Sequence, residues 1–322
     1  MRVSVTTGAR LHLGFTNLGD DSGRSCGSLG VALDRPTTSV VVQDAADGAA
    51  GDLSEHVRAC VLRFCAHYRV DPAVAVTIRE SIPAHVGLGS GTQLALAIGL
   101  GLSRLYELEA GPADIAPVMG RCRRSGIGAE AFRAGGFIID AGHRAGAHCA
   151  DARPAIVWRR EFPADWRFVI AVPDATHGLS GGCEEQVFER LAPAKRISEE
   201  VCRLTQLSVM PALVEHDIEE LGRALTAVDR KTGEYFSHLQ GGVYGNGGTS
   251  RAIDAMLGAG AHGAGQSSWG PAVYGLVHER AAEDVAAEVR RRLGDEAAAE
   301  VFVCKARNTG ALVHVDAGVV SL

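Results

Sequence analysis

Hydrophobic and polar positions alternate from the start of the chain: Val3, Val5 and Thr7 share one phase, Leu11 and Leu13 resume it after a glycine, and residues 37–43 read "TTSVVVQ". A period of two marks half-buried strands, so the chain opens in β-structure with a turn expected at Gly8. From Leu53 to Tyr68 the spacing changes to three and four, through Val57, Cys60, Val61, Phe64 and Cys65, which predicts a helix with Asp52 at its N-cap. "VAVTIRESI" returns to strand spacing. "LALAIGLGLSRLYEL" then shows little polar face, as a centrally buried helix does.

A helix over 112–123 and a strand over 136–140 follow, and then "RPAIVWRREFPADW" interrupts two apolar runs with charge and proline. The domain boundary is placed there, giving halves 1–160 and 161–322. "RFVIAVP" opens the second half as a strand. Helices are expected over 183–191, 195–209, 214–228, 250–258 and 280–293, with "AVYGLVH" a strand between the last two. A hairpin, "EVFVCKAR" and "ALVHVDA" about Asn308-Thr309-Gly310, closes the chain. Interleaved helices and strands define a mixed α/β (α+β) protein.

Composition narrows the function. With 322 residues, 46% hydrophobic and 22% charged, the chain can bury one large core or two medium ones. The net charge of -6 supplies no global basic field, which argues against nucleic acid and anionic membranes as partners. An anionic ligand must then be held by loops, helix ends or individual arginines. No stretch reaches the roughly 18 apolar residues of a membrane span, and the N-terminal residues lack the apolar core of a secretory leader. Eight cysteines without a CxxC pair sit mostly in apolar stretches, reading as buried small hydrophobes in a reduced cytoplasmic setting.

Three glycine-rich segments carry the candidate chemistry. In "IPAHVGLGSGTQLALAIG", Gly87, Gly89 and Gly91 precede a helix, so the backbone from Val86 through Leu88 to Thr92 can turn its N–H groups toward an anion at the helix start. Ser90 and Thr92 add hydroxyls for phosphate oxygens or a hydrated metal. No GK[ST] follows, so this is not a P-loop. The second segment is "RRSGIGAEAFRAGGFIIDAGH", Arg123 to His143, and the third is "GAGQSSWGPAVYG", Gly263 to Gly275.

In this order the motifs resemble the GHMP kinase superfamily, named for its galactose, homoserine, mevalonate and phosphomevalonate members. "RLHLGFTNL" (Arg10 to Leu18) is similar to its first motif, "IPAHVGLGSGTQLALA" to its phosphate loop and "GAGQSSWGPAVYGLV" to its third motif. The resemblance implies a two-domain fold, with an N-terminal domain like ribosomal protein S5 and a ferredoxin-like C-terminal domain. Where the kinases typically carry P-S-G-x-D, this chain reads Arg124-Ser125-Gly126-Ile127-Gly128, without the Asp that sits by the attacking hydroxyl in many members. The second and third segments, with "LHLGF" and "QGGVYG" (Gln240 to Gly245), look more narrowly like the β-ribofuranosylaminobenzene 5'-phosphate synthase family. That resemblance implies a decarboxylating phosphoribosyltransferase of methanopterin biosynthesis, joining 5-phosphoribosyl 1-diphosphate to 4-aminobenzoate or 4-hydroxybenzoate. It also suggests a homodimer. An ATP-dependent kinase and a non-catalytic sensor remain the alternatives.

On this reading the glycine loop and Mg²⁺ share the charge of the departing diphosphate. Expulsion of carbon dioxide removes the need for a strong base, which accommodates the missing Asp. His12 is a proton donor to the leaving group or a core residue. Arg10, Arg24, Arg123 and Arg124 are partners for carboxylate or phosphate, with Ser125 and Gly126 beside them. Trp269, Phe132 and Phe15 are ring contacts, Trp269 alternatively filling a domain interface, and Gln266, Ser267 and Ser268 offer donors. His177 and Ser180, in the glycine-rich entry "HGLSGGCEE", bind the 5'-phosphate or cap a helix. Glu130, with Asp20, Asp21 and Asp140, could join Ser90 and Thr92 around Mg²⁺. Asp140, His143, His148 and Cys149 match no familiar zinc spacing.

Overall fold

The computed structural model describes residues 1–17, 23–45, 54–144, 153–173, 194–244, 247–294, 300–316 and 318–321. Strand β1 (Arg2–Phe15) is continuous, so no turn forms at Gly8. After the short β2 (Arg24–Ser25), β1 pairs antiparallel with β3 (Ser28–Asp44), and the register slips between Gly8 and Arg10. From the Gly8–Thr37 pair to the Arg10–Ala32 pair β1 advances two residues and β3 five, and an odd difference of this kind reverses which face a given phase presents. Val3 and Val5 accordingly enter one core, while Ala9, Leu11 and Leu13, still on odd numbers, enter another. Arg10 and His12 fall on the opposite phase, where the glycine-rich loop lies.

The first core is built by α1 (Glu55–Tyr68), β4 (Val74–Glu80) and α2 (Ser90–Leu105) against Val3, Val5, Val40 and Val42. Helix α1 starts after Ser54, and the expected cap, Asp52, lies outside the described residues. Helix α2 is central as its composition requires, buried from Ala95 through Ser103. Gln93, fully buried near its start, accepts from Thr7 Oγ1 at 2.7 Å and donates to the Gly128 carbonyl at 2.8 Å, tying β1 to the second glycine segment. Helix α3 (Pro112–Val118) stops short of residue 123 because Gly120 takes φ +67°. The segment Ile127–Arg133 forms α4, and β5 (Phe137–Asp140), β6 (His143–Arg144) and β7 (Ile156–Arg160) follow.

The chain enters a second sheet at β8 (Trp166–Val172). Helix α5 (Lys195–Leu204) runs through a π-helical turn, Thr205–Val209, into α6 (Met210–Glu215). The expected helix at 183–191 lies outside the described residues. Instead of a helix over 214–228, α7 spans Ile218–Gln240, capped by Asp217, whose side chain accepts from Glu220 N. After α8 (Gly247–Gly258), the third glycine segment begins as strand β9 (Gly263–Gln266), turns, and continues as β10 (Val273–His278). Then come α9 (Ala282–Leu293), β11 (Glu300–Cys304), β12 (Leu312–Val315) and β13 (Gly318–Ser321).

Three antiparallel sheets result among the described residues: a seven-stranded one ordered β13-β12-β1-β3-β5-β7 with β4 on β3, a four-stranded one ordered β11-β8-β10-β9, and the two-stranded pair β2-β6. The closing hairpin does not form. β11 pairs with β8, whereas β12 returns to the first sheet, Val3 opposite Val315. Of the described cysteines, Cys60, Cys65 and Cys304 are buried as expected, Cys26 and Cys122 are half-buried and Cys202 is exposed; none is in a disulfide. Among the described residues no helix is long and apolar enough to cross a membrane.

Candidate active site

Arg10, the glycine loop and the third glycine segment meet through main-chain contacts. Arg10 N donates to the Leu88 carbonyl at 3.1 Å, and its guanidinium reaches the Gly87 carbonyl. Ser267 Oγ donates to that same Gly87 carbonyl at 2.8 Å and accepts from His12 N at 3.1 Å. Ser268 N donates to the His12 carbonyl at 3.1 Å, and Ala272 N to the Val86 carbonyl at 3.0 Å. Two backbones approach so closely here that a Cβ at Gly87 would lie 2.2 Å from the Ser267 carbonyl oxygen. Glycine is required because nothing larger leaves the loop its path.

Several expected donors are therefore committed to the scaffold. Ser267 is fully buried in these contacts, and Gln266 closes its own turn by donating from Nε2 to the Gly270 carbonyl at 2.9 Å. Leu88 turns its side chain into the core and leaves only main chain toward Arg10. The Ser90 and Thr92 hydroxyls stand half-buried in the first turn of α2, whose N-cap is Gly89 at φ +86°. Free N–H groups and the helix dipole make this a positive end.

Beside the loop lies a cleft of about 350 Å³ lined by His12, Phe15, Asp229, Phe236, Tyr244 and Trp269 among others. Trp269 packs edge-on against Phe236 with centroids 4.8 Å apart and also lines the cleft. Phe15 meets Phe236 at 5.9 Å and the His12 ring at 4.7 Å. Phe132 is not among them: α4 turns its ring fully into the core around α2, so the expected ring contact is corrected to a packing residue. Phe236, Tyr244 and Asp229 line the cleft instead. They were missed because the polar run "DRKTGE" hides the continuation of α7 past residue 228, although Tyr244 stands within "QGGVYG".

Burial, then Arg10 and Arg124, pushes the His12 imidazole down to about 3, so it is neutral near pH 7 and can donate only as an imidazole N–H. Asp229 moves the other way. Its Oδ1 accepts from Gln266 N at 3.0 Å, and burial pushes it up to about 8, keeping it protonated at neutral pH. The Tyr274 hydroxyl shares the enclosure: a Cβ at Gly265 would lie 2.7 Å from both Asp229 Cγ and Tyr274 Oη.

The second glycine segment is organised by Asp140. Its Oδ2 accepts from Gly126 N at 2.9 Å, Ser28 Oγ at 2.9 Å and Ser125 Oγ at 3.2 Å, while Oδ1 accepts from Gly142 N at 2.8 Å. Burial still pushes it up to about 6. A carboxylate so fully engaged is an anchor for the loop rather than a metal ligand. Arg24 is held to the same turn by the Ala141 and Gly142 carbonyls. Arg124 is half-buried near His12, and Arg123 is exposed. Glu130 gives both oxygens to Arg133 at 2.6 and 2.7 Å and lines a separate cavity of about 480 Å³. Among the described residues no three His, Cys, Asp or Glu side chains come together to hold a metal. Asp20, Asp21, His148, Cys149, His177 and Ser180 lie outside the described residues.

One cation escaped the sequence reading. A Cβ at Gly91 would stand 3.6 Å from Arg121 Nη1, just as one at Gly89 would stand 3.2 Å from Arg10 Nε, so two guanidinium groups cover the first turn of α2.

A glycine loop opening onto a buried helix and sealed by a second glycine turn is carried here on the GHMP kinase fold. Residues 55–134 match the family "GHMP kinases N terminal domain" and residues 209–295 match "GHMP kinases C terminal". A homoserine kinase from Cytophaga hutchinsonii superposes with a TM-score of 0.69, covering 97% of each chain at 17% identity. At full length the similarity is more particular. The beta-ribofuranosylphenol 5'-phosphate synthase of Methanothermobacter thermautotrophicus is 32% identical over 96% of this chain and 98% of its own. Its namesake from Archaeoglobus fulgidus is 30% identical, over 97% and 99%. The chain belongs to the β-ribofuranosylphenol 5'-phosphate synthase family within the GHMP kinase superfamily.

Proposed function

We propose that the enzyme is a decarboxylating pentosyltransferase of (tetrahydro)methanopterin biosynthesis, which forms a β-C-riboside from 5-phosphoribosyl 1-diphosphate and a 4-substituted benzoate. The observation that carries this reading is the junction at His12, where an aromatic-walled cleft meets the turn that seals the glycine loop at the start of α2. The benzoate ring enters the cleft between Trp269 and Phe15, and its carboxylate-bearing carbon attacks C1 of the sugar. The C1–O bond breaks with its electron pair leaving on diphosphate, which the loop N–H groups and Arg10 receive. The ring regains aromaticity with the electrons of the C–CO₂ bond, so no proton is abstracted there. Attack opposite an α-diphosphate gives the β product.

Two further observations support it. A neutral His12 suits hydrogen bonding better than base catalysis. At the place of the kinase Asp, a Cβ on Gly128 would come within 3.0 Å of Thr92 Cγ2, so a carboxylate there would crowd the loop helix. The relatives' name specifies a phenol, which favours 4-hydroxybenzoate as the acceptor. Among the described residues no carboxylate cage forms, and the Ser90 and Thr92 hydroxyls would be the protein ligands of Mg²⁺. When bound, the ion supplies charge neutralisation to the leaving group.

The reading is tested by mixing purified protein, phosphoribosyl diphosphate, Mg²⁺ and each carboxyl-labelled benzoate. Labelled carbon dioxide is expected, faster with 4-hydroxybenzoate; ATP consumption dependent on a small alcohol, with no carbon dioxide from either arene, would establish a kinase instead.

A further inference from the structure

Arg121 is placed where electrostatics disfavours a cation. Its side chain is half-buried, its Nε is sealed from water, and it makes no hydrogen bond or ion pair among the described residues. Burial and the like charges of Arg63 and Arg123 lower its hold on a proton. The tips of those two arginines crowd one point, since a Cβ at Gly120 would lie 2.7 Å from Arg63 Nη1 and 3.9 Å from Arg123 Nη2. His56 is pushed down by burial and by Arg121 and Arg63. The positive end of α2 adds to this, because Arg121 lies over Gly91 in its first turn.

A buried charge without a counter-charge is costly, and like neighbours and a helix N-terminus raise the cost. An arriving anion supplies the missing counter-charge, and the like neighbours and helix N-terminus that disfavour the cation attract it. We infer that Arg121, backed by Arg63, forms a second phosphoryl subsite two residues along α2 from the one that Arg10 makes over Gly89. A ligand with two separate anionic groups would use both arginines at once. Phosphoribosyl diphosphate is such a ligand, and only in naming it does this inference rest on the proposed function. The group received is a phosphate, either the sugar 5'-phosphate or the far end of the leaving diphosphate.

The test is ligand-dependent thermal unfolding and equilibrium titration of the wild type and Arg121→Met with ribose 5-phosphate, inorganic diphosphate and chloride at matched ionic strength. The variant without ligand should melt at the wild-type temperature or above, because an uncompensated charge has gone. Its affinity for one of the two phosphates should fall roughly tenfold or more, the scale of a lost charge-assisted hydrogen bond. A selective loss for ribose 5-phosphate assigns the sugar phosphate, and one for diphosphate assigns the leaving group. Unchanged affinity for both, or a variant that melts lower and binds normally, overturns the inference. Should Arg121→Met fail to fold, the exposed Arg63→Met serves: weaker phosphate binding supports the subsite and unchanged binding refutes it. No turnover enters these measurements, so failure of the carbon dioxide assay leaves their outcome unaffected.

Discussion

The Val86 carbonyl carbon lies 2.1 Å from where Gly270 would carry a Cβ. Gly270→Ala therefore cannot be absorbed by a side-chain rotation; it must push the glycine loop away from the turn bearing Trp269. We expect a loss of roughly 1–3 kcal/mol of stability, the usual scale of overpacking. Denaturant titration should show it as a lower midpoint with an unchanged slope, and an unaltered midpoint would mean that the two backbones are not apposed.

His12 provides a second prediction. The ordinary imidazole value is 6.5 and the folded one about 3, so between these the unfolded chain binds the extra proton and His12 costs stability as pH falls. In the free enzyme it stays neutral from pH 5 to 9. His12→Ala should lower kcat/KM while leaving the shape of its pH profile over that range unchanged, since kcat/KM reports ionisations of the free enzyme. Disappearance of a titration near neutrality in the variant would show that His12 ionises after all.

Asp229 predicts the opposite slope. Its folded value of about 8 stands above the ordinary 3.8, so the native state keeps a proton that the unfolded chain has released. Stability present below pH 4 is lost as pH rises through 8, at up to about 1.4 kcal/mol per pH unit. Asp229→Asn cannot titrate. Unfolding at pH 5 and pH 8 should show the wild type weakening relative to the variant as pH rises, and parallel behaviour would refute the protonated state.

The aromatic cleft and the loop should be separable. Trp269→Leu keeps the site apolar but removes the ring face, and should weaken 4-hydroxybenzoate binding roughly tenfold through lost aromatic contact. Diphosphate affinity, measured by calorimetry on the same preparation, should stay within about twofold. Equal losses for both ligands would mean that the substitution disturbs the loop through Gly270.

Much of this arrangement can be read from the chain because its determinants are local. Alternation marks β1, and apolar residues on all sides mark α2 as central. The glycines at 87, 89 and 270 announce backbone that must bend or approach closely. The rest depends on partners distant in sequence. "NTG" between two strand-like runs looks like a hairpin, yet Glu300–Cys304 prefers β8 and Leu312–Val315 prefers β1. Gly233 suggests a break, but within α7 it admits the Val243 carbonyl, which a Cβ would meet at 2.3 Å. Asp140 reads as a possible metal ligand until its four donors are seen. Arg121 carries no signal in sequence, because its significance lies in the absence of a partner among the described residues.

The bonds that join the first strand, the glycine loop and the Trp269 turn run mostly through main-chain atoms. A grip written in the backbone is indifferent to most of the side chains around it. Phe15, Phe236 and Trp269 can thus be exchanged while the glycine loop keeps its path, which, on the proposed function, makes this cleft a tractable starting point for engineering new carbon–carbon bonds to ribose.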